Sequence, residues 1–227
     1  MKTGSPQDTT GLRADARRNR DLIVAAAREL LVEQGADVPL EDVARRAGVG
    51  IGTLYRRFPD RDALLRAVFE EGLRRMADLA ETAWREEPDA WHALCRFLRA
   101  CTELRLGVLS AKLEPHLHQR LRAGPGLHEI RQQVIASVLR MTEQAQAEGA
   151  LRDDIGPGDI ALLMTLHVYT PPSMSDEQAM ARVVEIMLNG LRADAGSPLP
   201  GPPLTGDDLR RYTAVERPPP THARQDE

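Results

Sequence analysis

Residues 39–65 read PLEDVARRAGVGIGTLYRRFPDRDALL, and their spacing decides the fold. Leu40, Val43, Ala44 and Ala47 fall at i, i+3, i+4 and i+7, the stripe of a short helix with one buried face. Gly48-Val49-Gly50 follows, with two glycines that tolerate the positive φ of a tight interhelical corner. Beyond the corner, Ile51, Leu54, Tyr55 and Phe58 repeat the apolar spacing, while Gly52, Thr53, Arg56 and Arg57 occupy the other face. Two short helices of this polarity form a helix-turn-helix, a scaffold that presents its second helix to a DNA major groove. An ordinary helical hairpin with a solvated arginine face satisfies the same periodicity, so spacing alone leaves both readings open.

Working outward, the first ~16 residues are polar and read as a flexible arm. A long helix is expected from Arg17 to Gln34, with Ile23, Ala26, Ala27, Leu30 and Leu31 inward and Gly35 as its C-cap. Asp60 is placed to cap a further helix reaching Arg85. Pro88-Asp89 restarts a helix containing Trp91, Leu94, Cys95 and Leu98; Glu114-Pro115 and Gly124-Pro125-Gly126 mark breaks. Later helices are expected over Leu127–Gly149, Asp159–Tyr169 and Ser175–Arg192, giving about nine helices and no strand. The boundaries drawn are an arm at 1–16, a DNA-binding head at 17–60, a helical effector-binding and dimerisation body at 61–195, and a Pro/Gly-rich tail at 196–227 whose last ~15 residues read as disordered.

The composition is 42% hydrophobic but only 4% aromatic, with Ala and Leu dominant, which favours an all-α fold. No apolar run approaches the ~18 residues of a membrane span, and the N-terminus lacks a signal-peptide core, so a soluble cytoplasmic protein is expected. The net charge of −4 is unevenly spread: residues 1–58 carry 10 Lys/Arg against 8 Asp/Glu, and the remainder is acidic. That asymmetry suits a DNA-facing head on an acidic body.

Catalytic constellations are missing from the sequence. There is no strand-borne phosphate loop, no Gly-x-Ser-x-Gly and no His-Glu-x-x-His, so neither an enzyme nor a cofactor is expected. His116 and His118 flank Leu117, but positions two apart diverge by ~200° on a helix, which disfavours a metal site there. Cys95 and Cys101 point ~120° apart on one helix and read as buried filler in a reduced protein.

The run AGVGIGTLYRRFPDR, within Arg17 to Leu65, resembles the N-terminal domain of the tetracycline-repressor (TetR) family. Gly48, Thr53, Leu54, Tyr55 and Phe58 stand at that family's spacing. Two positions depart from it: Arg61 replaces the usual Lys, and Val38-Pro39 replaces the usual Ser or Thr cap. The body looks like an actinobacterial-type subgroup through DDIGPGDI, NGLRA and PLPGPPLTGDDL. The resemblance implies a homodimeric repressor released from a palindromic double-stranded operator by a small ligand. It implies that Thr53 and Tyr55 donate to phosphates, that Gly50 and Gly52 permit close approach, and that Ile51 makes apolar contact. Arg56 and Arg57 would then read base edges, and Arg61 would clamp a phosphate. For the effector, Trp84, Trp91, Phe97, Leu98, Leu113, Leu117, Met164 and His167 are large groups able to wall a mostly apolar cavity. A helical protein- or RNA-interaction module and a ligand-independent DNA-binding protein remain as alternatives.

Overall fold

A computed structural model describes residues 6–35, 37–104, 125–164 and 173–208. The described residues include the helices α1 (Pro6–Gln34), α2 (Leu40–Arg46), α3 (Ile51–Arg57), α4 (Arg61–Glu86), α5 (Ala90–Leu104), α6 (Pro125–Ala147), α7 (Pro157–Leu163) and α8 (Asp176–Gly190), and residues 206–208 are helical as well. Their β structure is a single isolated bridge between Leu151 and Arg192.

Local chemistry sets most helix ends. Asp60 caps α4, its carboxylate accepting from Ala63 N at 2.7 Å. Ser175 caps α8 and accepts from Gln178 N at 3.2 Å. Pro39 occupies the N-cap of α2 without a side-chain bond, and Glu41 and Asp42 supply acidic groups to that first turn. The corner after α2 is a Schellman turn, with Val49 N bonded to Ala44 O and Gly48 N to Arg45 O. Gly48 has φ +68° there, whereas Gly50 has φ −66°. The corner therefore uses one left-handed glycine, not the two anticipated. Gly35 ends α1 at φ +93°, donating to Leu31 O.

Helix α1 begins at Pro6, not Arg17, so residues 6–16 are helical where a flexible arm was expected. Thr9, Thr10 and Gly11 are weak helix formers, which hid this extension. Pro6 fits a first helical turn, and nothing between it and Arg17 breaks a helix. The expected helix over Asp159–Tyr169 starts two residues earlier, and its residues beyond Met164 lie outside the described ones. So do the breaks at Glu114-Pro115 and the last residues of the tail.

Two apolar cores share one helix. The first gathers Ile23, Ala27 and Leu30 of α1, Val43 and Ala44 of α2, Leu54 and Phe58 around α3, and Leu64, Leu65 and Val68 of α4. The second begins at Met76 and continues through Ala80 and Ala83 of α4, Leu94 and Phe97 of α5, Val138 and Met141 of α6, and Val184 and Leu188 of α8. The first core thus runs past residue 60, because the opening turns of α4 supply one of its walls. In the body α4 packs mainly against α6 and α5, and Arg99 of α5 is bidentate to Glu185 of α8 at 2.7 and 3.1 Å.

Part of the Pro/Gly-rich tail is built into the body. Arg152 donates to the carbonyls of Ser197 and Gly190 while pairing with Asp154. Asp154 accepts from Leu199 N, and Asp159 accepts from both Gly156 N and Leu204 N. Gly158 N completes the seam by donating to Leu204 O at 2.9 Å.

Candidate nucleic-acid interface

Folding turns α3 so that Leu54 is fully buried and Phe58 nearly so, leaving the other face to solvent. That face carries Gly52, Arg56 and Arg57, with Tyr55 at 47% exposure and Ile51 at 38%. Thr53 is half-buried, and its hydroxyl accepts from the Arg56 guanidinium at 2.9 Å. The i, i+3 spacing permits this bond, so these two groups are coupled before any partner arrives. Arg57 makes no ion pair or hydrogen bond among the described residues. Arg61, at the start of α4, is half-buried and already engaged within the protein.

The neighbouring arginines serve the scaffold. Arg46 bridges α2 to α1 through Glu33, at 3.1 and 3.2 Å, and Glu29. The guanidinium hydrogen bond holds the Glu33 carboxyl below the usual carboxylate range and raises Arg46 in turn. Arg45 pairs with Asp42 in its own helix. This division of labour was missed in the sequence. Glu29 and Glu33 at i, i+4 on α1 are a readable signal, but their partner becomes apparent only when α1 and α2 are packed.

The glycines of α3 carry further information. Neither Gly50 nor Gly52 has a positive φ, and a Cβ at either would meet nothing within 4 Å. Within a helix, glycine costs roughly 1 kcal/mol relative to alanine. No internal steric or conformational need offsets that at Gly52.

In the body, Trp91, Phe97 and Leu98 are buried together in the second core, with Trp84 and Met164 packed against it. Arg140 stacks over Trp84 at 4.4 Å and pairs with Glu81. Arg192 lies over Trp91 at 5.7 Å. Leu113, Leu117 and His167 lie outside the described residues, as do His116 and His118. A cleft of about 450 Å³ opens elsewhere, between α1, α4 and α5. Both cysteines are free; burial pushes the Cys95 thiol up to about 11 and raises Cys101 as well, opposite to an activated thiolate.

A helix-turn-helix head carried on a helical body defines the class of the protein, and comparison with known proteins gives the family. Residues 23–68 match the bacterial regulatory proteins of the tetR family, and residues 89–193 match the C-terminal domain of SbtR-like transcriptional regulators. The TetR transcriptional regulator SCO0520 of Streptomyces coelicolor is 32% identical, over 78% of this chain and 99% of that one, with a TM-score of 0.55. A TetR transcription regulatory protein from Mycobacterium vanbaalenii is 31% identical, over 80% and 99%, with a TM-score of 0.56. The HTH-type transcriptional regulator SAR0097 of Staphylococcus aureus is 37% identical over 67 residues, a match spanning 28% of this chain and 35% of that protein. The chain belongs to the TetR family of transcriptional regulators. No helix among the described residues is long and apolar enough to cross a membrane.

Proposed function

We propose that the protein is a cytoplasmic, non-enzymatic repressor that binds a palindromic operator as a homodimer through α3 and leaves it when a small apolar molecule binds the body. The observation that carries this reading is the exposed face of α3, where bare glycine backbone lies beside two guanidiniums and a phenol. Gly50 and Gly52 let the helix backbone approach the groove. Thr53 and Tyr55 donate hydroxyls to phosphates, Arg56 and Arg57 face base edges, and Ile51 offers apolar contact to a thymine methyl. Arg61 holds a phosphate at the start of α4. Thr53, which accepts from Arg56 in the free protein, exchanges that bond for the phosphate on binding.

Self-association uses α7 and α8. Leu162 is 47% exposed and Ile186 66%, and Val183 and Met187 are half-buried beside the latter. Two helices from each subunit then form a four-helix interface. Among the described residues, the effector site draws on Trp84, Trp91, Phe97, Leu98 and Met164. Footprinting the purified protein on the DNA upstream of its own gene tests the reading. Protection of a two-fold-symmetric site, lost on adding salt, is expected; binding to RNA or protein without such a site would overturn it.

A further inference from the structure

We propose that the cleft where α1, α4 and α5 meet binds a small dipolar molecule, one bearing a carboxylate and an ammonium on a short apolar frame. The cleft is a solvent-open groove of about 450 Å³, room for a ligand between an amino acid and a dipeptide in size. Its inner surface is formed by Leu79 and Thr82 of α4 with Ala100 and Leu104 of α5. Its charged edge is formed by Arg28 of α1, Arg75 and Asp78 of α4, and Glu103 of α5.

Much of the molecule's charge is paired, although other exposed groups, Arg57, Arg66 and Glu143 among them, also lack a partner among the described residues. Elsewhere Arg74 pairs with Glu70, Arg96 with Glu86 and Glu87, Arg99 with Glu185, and Arg140 with Glu81. Around the cleft, none of Arg28, Arg75, Asp78 and Glu103 makes an ion pair or hydrogen bond among the described residues, although Arg75 and Asp78 sit at i, i+3. Two unpaired cations and two unpaired anions around an apolar floor suit a ligand with one group of each sign. A singly charged ligand would satisfy one pair and meet repulsion from the other.

The position gives such a ligand leverage. Arg28 belongs to the helix that builds the first core, and Glu103 to the second. Arg75 lies on the stretch of α4 between Val68, in the first core, and Met76, in the second. A molecule held by all three fixes the head against the body at the point where α4 passes from one core to the other. A ligand that prefers one arrangement of that joint changes operator affinity, and operator changes ligand affinity by the same factor. This consequence rests on the proposed operator reading; the binding itself does not.

The experiment is calorimetric titration of the full chain with L-phenylalanine, 3-phenylpropionate and 2-phenylethylamine. The wild type is expected to bind phenylalanine at least tenfold more tightly than either singly charged analogue. Arg28→Gln with Arg75→Gln should shift the preference to the amine, and Asp78→Asn with Glu103→Gln to the carboxylate. Thermal melts confirm that each variant is folded. No phenylalanine binding at millimolar concentration, or binding that neither double variant alters, would overturn the site. Phenylalanine binding that leaves the affinity for a footprinted operator unchanged would overturn the coupling. A protein that binds operator but not phenylalanine loses this inference alone and keeps the repressor reading.

Discussion

Two pairs of glycines, Gly50 and Gly52 in the head and Gly156 and Gly158 in the body, stand in opposite surroundings. In the head a Cβ would meet nothing within 4 Å. In the body a Cβ on Gly156 would lie 2.1 Å from Leu204 O, and one on Gly158 would lie 2.6 Å from Leu204 Cβ. None of the four has a positive φ, so backbone conformation explains none of them. The body pair makes room for the chain's own tail; the head pair lies open, on the face that the proposed function assigns to DNA.

The largest effect on this contrast is expected from Gly156→Ala. The added methyl strikes backbone, not the tip of a flexible side chain, so residues 197–208 must lift from α7. That costs about 3 kcal/mol, combining overpacking with loss of the bonds to Asp159 and from Gly158. Thermal unfolding should fall by roughly 10 °C, while operator affinity per folded dimer stays near wild type. An unchanged melting temperature would mean that the tail segment is not part of the body.

Next in size is the polar face of α3. Arg56→Ala or Arg57→Ala should each cost about 1–3 kcal/mol of operator affinity if the contact to guanine is bidentate, with relaxed preference at one base position. Tyr55→Phe should weaken binding more uniformly across sequences, because it removes a phosphate contact and leaves base contacts intact. Titration against an operator library separates the two patterns. A change in sequence preference from the tyrosine variant alone would reverse these assignments.

The smallest effect concerns acid. The Arg152 hydrogen bond, helped by Leu199 N, holds Asp154 down at about 2, below its ordinary value of 3.8. A folded-state value below the unfolded one contributes stability that is complete above about pH 4 and is lost as pH falls toward 2. Asp154→Asn should therefore flatten the acid limb of a melting-temperature profile in that window. An acid limb identical to wild type would remove Asp154 from the clasp.

The same contrast explains what was readable in the sequence. The head was legible because its determinants are local: apolar spacing from Leu40 to Phe58, Gly48 at the corner, and Asp60 capping α4. The docked tail was not. Its Pro-Leu-Pro-Gly-Pro-Pro run has no period, and its backbone N–H groups are received by Asp154 and Asp159 forty-five residues earlier. The start of α1 was hidden because Thr9, Thr10 and Gly11 are weak helix formers. At the interface, periodicity placed Leu54 and Phe58 inward and Arg56 and Arg57 outward. Ile51 and Tyr55, read into the apolar stripe, are exposed because the short helix has only one wall to bury against. The hydrogen bond from Arg56 to Thr53 and the commitment of Arg46 to Glu29 and Glu33 emerged only from packing.

Gly52→Ala tests the central claim most directly, because the fold and the partner ask opposite things of that position. Melting temperature and operator affinity should be measured on the same preparation. Removing a helix glycine should stabilise the protein by up to about 1 kcal/mol, and the added methyl on the groove-facing surface should weaken operator binding at least tenfold. A variant that is more stable and binds operator as well as the wild type would contradict the account, since nothing would then be approaching α3 closely enough to need a bare backbone.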